Sequence, residues 1–345
     1  MNPILVEVTR GHAVESVHRG ALAVLDADGG FIASLGDIER PIFPRSAVKL
    51  LQALPLVESG AADQLGLSDD ELALACSSHN GEPAHVRTAA GMLAKAGLDA
   101  SALECGTHWP KHDEALRALA AAGREPTALN NNCSGKHAGF LCLACAMHGR
   151  AGLQAFCQGY VQPEHPVMRE VTAALEVVTG FDAGGAPRGT DGCSIPTFGM
   201  PLRALALGFA RVGTGSGLRP GHARAALRLR GAIAHSPFMV AGSDRFDTQV
   251  MQQLGTRVCC KVGAEGVFCA ALPTLGLGVA IKIDDGNNAR AAEVVMASVI
   301  ESALSLEGAD ADSLRALSHP VLRNWNGIDV GGLRPAPVLA GLRWR

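Results

Sequence analysis

Among 345 residues there is a single tyrosine, and aromatic residues of all kinds reach only 4%. With 41 glycines and 48% hydrophobic residues, that scarcity implies a compact, turn-rich, alanine-filled interior rather than a disordered chain. Surplus positive charge is missing too. Lys and Arg total 30 against 33 Asp and Glu, a formal charge of -3, which gives no basic field for nucleic acid. No stretch reaches the roughly 18 apolar residues that a membrane span needs. The opening "MNPILVEVTRGHAVESV" has no basic flank followed by an apolar run of secretory length. A cytoplasmic protein with no membrane or nucleic-acid partner is the expectation. Its ten cysteines then read as reduced thiols with metal, redox or packing roles. Cys142 and Cys145 in "FLCLACAM" sit in an apolar helical run and read as core.

The first forty residues fall into short runs, "ILVEVTR", "SVHRGALAVLD" and "FIASLGD", with "DADGG" as a turn; they read as an antiparallel hairpin or meander. Helical patterns follow in "SAVKLLQAL", "PAHVRTAAGMLAKAG", "HDEALRALAAAG", "SGKHAGFLCLACAMHG", "PVMREVTAALEVVTG", "PLRALALGFARV" and "HARAALRLRGAIAHSP". The segment "RVCCKVGAEGVFCAALPTLGLGVAIKIDD" returns to two or three antiparallel strands, and "NARAAEVVMASVIESAL" is a final long helix. The order implies one α+β catalytic domain over residues 1–345. Within it, residues 1–40 and 255–345 form an antiparallel sheet with packing helices, and residues 41–254 form a large helical insert.

Three short motifs carry chemistry. Ser46 and Lys49 form S-x-x-K, a spacing that puts hydroxyl and amine on one helix face. Lys49 shares that face with Leu50, Ala53 and Leu54, and burial there disfavours an ammonium, so the amine can take the Ser46 proton. The free N–H groups of the helix start can help to bind an oxyanion. Alone, the pattern also describes an amphipathic helix whose lysine reaches water. Ser78-His79-Asn80 in "ACSSHNGE" is an S-x-N turn, and Lys261-Val262-Gly263 in "CCKVGAEG" is a K-x-G on a strand. In this order the three are the elements of the serine β-lactamase and penicillin-binding protein site. Lys261 can lower the pKa of Ser78 or hold it as a relay to Lys49. Gly263 lets a substrate lie against the strand. Each residue also has a plainer reading: Ser78 as a turn or cap hydroxyl, Lys261 as an edge-strand lysine.

"NNNCSGKHAGF" starts a helix near Ser134 with Cys133 at its cap, and "TDGCSIPTFG" sets Cys193 in a turn. Two such thiols with a nitrogen donor nearby can supply three zinc ligands and leave one position open. Zinc chemistry alone favours His137 as the third. Two packed thiols and a capping turn would read the same way, since no C-x-x-C pair is present.

Taken together, "PRSAVKL", "SSHNGE", "NNCSGKHAGFL", "DGCSIP", "VAGSDRFDT" and "KVGAEG" resemble the Rhizobium etli-type (class 3) L-asparaginases of the asparaginase II family, over nearly the whole chain. The resemblance implies a fold similar to serine β-lactamases. It implies two Ser-Lys tandems, Ser46 with Lys49 and Ser78 with Lys261, and Ser46 as the nucleophile that turns L-asparagine into a β-aspartyl ester and ammonia before hydrolysis. It also implies zinc held by Cys133, Lys136 and Cys193, so Lys136 takes the place that zinc chemistry alone would give His137. His137 and Asp191 then orient ligands and contact asparagine, Arg45 has an electrostatic role, and the chain is a homodimer. One departure is Asp247 in "SDRFDT", where some members carry a cysteine near the pocket.

Two other functions fit parts of the pattern. A β-lactamase or transpeptidase-like serine acyl hydrolase shares the three motifs, but its substrates lie outside the cytoplasm. A non-catalytic zinc-binding protein would use the thiols and leave both tandems idle.

Overall fold

The computed structural model describes residues 1–344. Among the described residues ten strands are present: β1 (Ile4–Arg10), β2 (Ala13–Asp26), β3 (Phe31–Leu35), β4 (Arg188–Thr190), β5 (Pro196–Phe198), β6 (Cys259–Val262), β7 (Val267–Leu272), β8 (Leu277–Ile283), β9 (Val321–Arg323) and β10 (Asp329–Pro335). Eight of them make one antiparallel sheet in the order β6-β7-β8-β2-β1-β10-β9, with β3 also paired to β2; β4 and β5 form a separate ribbon. The 14-residue β2 joins the two ends of the chain, pairing with β1 up to Arg19 and with β8 from Gly20 onward.

Every residue of β7 is buried, so both faces of the sheet are covered there and the apolar run shows no alternation. Helix Leu202–Thr214 packs on β2, β7 and β8, and helix Glu293–Ala303 on β1, β7 and β10. The hairpin of β9 and β10 is absent from the sequence reading. Its strands are half-buried or exposed at all but one position and hold Gly331 and Gly332, so they lack the alternating apolar signal.

Residues 45–254 are mainly helical, and their ends follow local rules. Ser68 and Glu71 close a capping box on helix Asp69–Ala75. Proline opens the helices Pro83–Ala96, Pro166–Thr179 and Pro220–His235. Helix Ser134–His148 is buried from Ser134 through Cys145 and forms the axis of this region. At Gly135 an added Cβ would collide with the Leu74 carbonyl, so glycine is what allows helix Asp69–Ala75 to press against this axis. That contact sets the loop Ser77–Glu82 beside Cys133. No helix among the described residues is long and apolar enough to cross a membrane.

Candidate active site

The first motif is split between two kinds of turn. Arg45–Val48 forms a 3-10 turn that holds Ser46, and the α-helix begins at Lys49. Lys49 is 1% exposed, and its Nζ donates to Ser77 O at 2.5 Å, Ser78 Oγ at 2.9 Å and Cys133 Sγ at 3.1 Å. Three acceptors match the three N–H donors of an ammonium. Lys49 therefore binds the serine of the second motif, and no hydrogen bond joins it to Ser46 among the described residues.

Ser46 is half-buried and its hydroxyl is unengaged among the described residues. The residue before it, Arg45, has φ +51°, a left-handed conformation that a side chain rarely adopts and that active sites retain. The N–H of Ala47 is already donated to Pro44 O at 3.1 Å, so the helix start has fewer free donors for an oxyanion than its sequence suggests.

The third motif approaches from β6. Lys261 is 2% exposed and donates to Val262 O at 2.7 Å. Burial pulls its pKa down to about 7; Asp247 opposes that shift, and Lys49 and Arg245 reinforce it. Lys261 makes no hydrogen bond to Ser78 among the described residues. Gly263 has a different use from the expected one: an added Cβ would sit 2.9 Å from Pro44 O, so glycine lets the strand end close on the turn that carries Ser46. Asp247, fully buried, accepts the Val262 N–H at 2.8 Å on Oδ1, and its Oδ2 has no partner among the described residues.

The thiols meet as a pair. Cys133 and Cys193 are neighbours, and Cys193, with Lys49 and Lys136 nearby, holds the Cys133 pKa well below the usual thiol range against the upward pull of burial. Lys136 Nζ donates to Cys193 Sγ at 2.9 Å. Burial lowers the Lys136 pKa, but the sulfurs of Cys193 and Cys133 outweigh it and the net shift is upward. Among the described residues no three His, Cys, Asp or Glu side chains gather as a metal site. Three donors are reached only by counting the Lys136 amine. Two thiols and that amine, all buried and in contact, fit a zinc ion once the amine gives up its proton.

His137 and Asp191 lie around this centre. Asp191 Oδ1 accepts from Arg45 Nε at 2.6 Å, and its Oδ2 is 3.7 Å from Cys193 Sγ, so it ties the Ser46 turn to the thiol turn. His137 is fully buried, and burial holds it neutral. Its Nδ1 is hydrogen-bonded at 2.6 Å to the hydroxyl of Tyr160, whose oxygen also accepts the Glu104 N–H at 3.0 Å. The chain's one tyrosine thus orients His137, a partner absent from the sequence reading although its rarity was a visible signal. Arg245 and Lys111, both bonded to Asn80 of the second motif, have no role in the sequence reading. Grooves of about 610 and 670 Å³ elsewhere on the surface contain none of these residues.

The family described as L-asparaginase II matches residues 6–335. No curated protein matches the chain. Among solved structures, the chain is similar to one described as "Crystal Structure Analysis of Mglu", at 15% identity and TM-score 0.37, covering 83% of this chain and 66% of that one. It is similar also to a beta-lactamase from Mycobacterium bovis at 15% identity and TM-score 0.37, covering 82% of this chain and 94% of that one. Matched over nearly its whole length, the chain belongs to the L-asparaginase II family, and its activity as an enzyme is that of an L-asparaginase.

Proposed function

We propose that the amide of L-asparagine is cleaved by Ser46 as nucleophile, with Lys261 as the base and Ser78 and Lys49 between them. The observation that carries this reading is the meeting of all three motifs: Lys49 is bonded to Ser78 at 2.9 Å, and the Lys261 strand closes on the Ser46 turn through Gly263. An amine near pKa 7 is matched to proton transfer at neutral pH. Ser46 Oγ bonds to the amide carbon while its proton is taken up by Lys261. The C–N bond then breaks, the proton goes to the departing nitrogen, and ammonia leaves a β-aspartyl ester. Water attacks that ester, gives a proton to the same base, and the Ser46 oxygen departs with a proton as L-aspartate is released.

Zinc fits Cys133, Lys136 and Cys193, and when bound it would supply a Lewis acid that orients the substrate. Arg45, Asp191 and His137 position this centre and the Ser46 turn. A homodimer, which the family resemblance supports, and a cytoplasmic location, which the sequence reading supports, complete the proposal. Ammonia release from L-asparagine, with L-glutamine and a chromogenic β-lactam beside it, tests the proposal on wild type and Ser46→Ala. Release from asparagine that disappears in the variant is expected; β-lactam turnover without it would overturn the reading. A methylene alone discriminates by about 1–3 kcal/mol, so weak glutamine turnover is compatible.

A further inference from the structure

Two cations near the Ser78 loop have no ion-pair partner among the described residues. Arg45 is answered by Asp191, and Lys49 by the Cys133 sulfur. Arg245 forms no salt bridge among the described residues; its one hydrogen bond runs from Nη1 to Asn80 Oδ1 at 3.0 Å. Lys111 forms none either, and its backbone N–H donates to the carbonyl of the same Asn80 at 2.8 Å. Asn80 is two residues from Ser78, so both cations are tied to the loop that carries the site serine.

The Arg245 side is rigid. Ser243 donates its N–H to Glu82 Oε1 at 2.8 Å and its hydroxyl to Glu82 Oε2 at 2.7 Å. Asn80 Nδ2 donates to Ser243 O at 2.9 Å. Asp244 holds a left-handed φ of +59°, which turns the chain so that Arg245 faces Asn80. The guanidinium is therefore fixed in place with most of its donor fork unused, the arrangement suited to a bidentate carboxylate. Its charge also reaches the reacting centre, since it helps to depress Lys261, and, after burial, it and Lys49 depress Lys111. The acidic groups on this side are Glu82, both of whose oxygens are taken by Ser243, Asp247, whose Oδ1 accepts the Val262 N–H while its Oδ2 has no partner among the described residues, and Glu293, whose carboxyl burial and Asp247 push up to about 7. None of them forms a salt bridge with Arg245 among the described residues.

We propose that Arg245, assisted by Lys111 and aimed by Asn80, receives the α-carboxylate of the amino-acid substrate. This rests on the amidohydrolase reading for the identity of that substrate. It makes Arg245 a specificity-determining residue: amides without an α-carboxylate lose this anchor.

Calorimetry with the product separates binding from turnover. L-aspartate is titrated into wild type, Arg245→Gln, Arg245→Lys and Lys111→Gln, and β-alanine, which is aspartate without its α-carboxylate, is titrated beside it. Arg245→Gln is expected to weaken L-aspartate binding at least tenfold and to raise KM for L-asparagine by a similar factor. Arg245→Lys recovers part of both, Lys111→Gln gives a smaller loss, and wild type binds β-alanine about as weakly as Arg245→Gln binds L-aspartate. Unchanged L-aspartate affinity and unchanged KM in Arg245→Gln would overturn the proposal. Should that variant fail to fold, full wild-type affinity in both Arg245→Lys and Lys111→Gln would do the same. A wild type that binds L-aspartate through Arg245 yet releases no ammonia would sink the proposed function and support this subsite.

Discussion

Lys49 and Ser78, 29 residues apart in sequence, are joined by a hydrogen bond of 2.9 Å inside the protein. The same amine also reaches Ser77 O and Cys133 Sγ, so one lysine links the nucleophile helix, the serine loop and the thiol pair.

Removing that link leaves buried acceptors without a donor. Lys49→Met is expected to lose about 1–3 kcal/mol of stability and at least 10³-fold in kcat. Ser78→Ala removes only one partner and should lose about 1 kcal/mol and roughly 10²-fold in kcat. Urea midpoints and ammonia release on both variants test this ordering; a more damaging Ser78→Ala would contradict it.

Lys261 predicts the pH behaviour. With its folded pKa lowered to about 7, kcat/KM should fall on the acid side of neutrality as the base becomes protonated. Asp247 raises that pKa, so Asp247→Asn should move the limb to lower pH, whereas Glu293→Gln should leave a limb in place.

Stability against pH has two windows with opposite signs. The unfolded chain binds the Lys261 proton up to about pH 10.4, while the folded protein releases it near 7, so Lys261 makes stability rise with pH between those values. Glu293 is raised to about 7 in the folded state, so it makes stability fall as pH rises from about 4.3 to that point. Urea midpoints of Lys261→Met should lose the upper slope and those of Glu293→Gln the lower one.

Gly263→Ala tests how the strand meets the nucleophile turn. Its Cβ would press on Pro44 O at 2.9 Å and on Val267, so backbone must shift. A loss of about 1–3 kcal/mol is expected, with kcat reduced more than KM is changed. A variant with wild-type kcat would show that the turn bearing Ser46 does not depend on this contact.

Zinc content tests the thiol centre apart from activity. Elemental analysis of the purified protein should find zinc, and Cys193→Ala should lose it while Ser46→Ala keeps it. Zinc retained in Cys193→Ala would place the metal elsewhere.

All three motifs could be read in the sequence because each is local, and the helix starts at Pro83 and Ser134 were visible for the same reason. The pairing between motifs was not legible. S-x-x-K spacing points Lys49 at Ser46, but Ser77 O, Ser78 Oγ and Cys133 Sγ arrive only through the packing of helix Asp69–Ala75 on the buried axis. Gly263 looked like room for substrate and is room for Pro44. Arg245 stands in a segment that sequence reading singled out, yet its uncompensated charge emerges only once every neighbouring carboxylate is seen to be engaged elsewhere or unpaired with it.

The most direct measurement is to acid-quench wild type during turnover of L-asparagine and map the acylated peptide by mass spectrometry. A β-aspartyl ester on the peptide bearing Ser46, absent from Ser46→Ala, is the predicted result. An ester on the peptide bearing Ser78, with Ser46 unmodified, would contradict the assignment of the nucleophile.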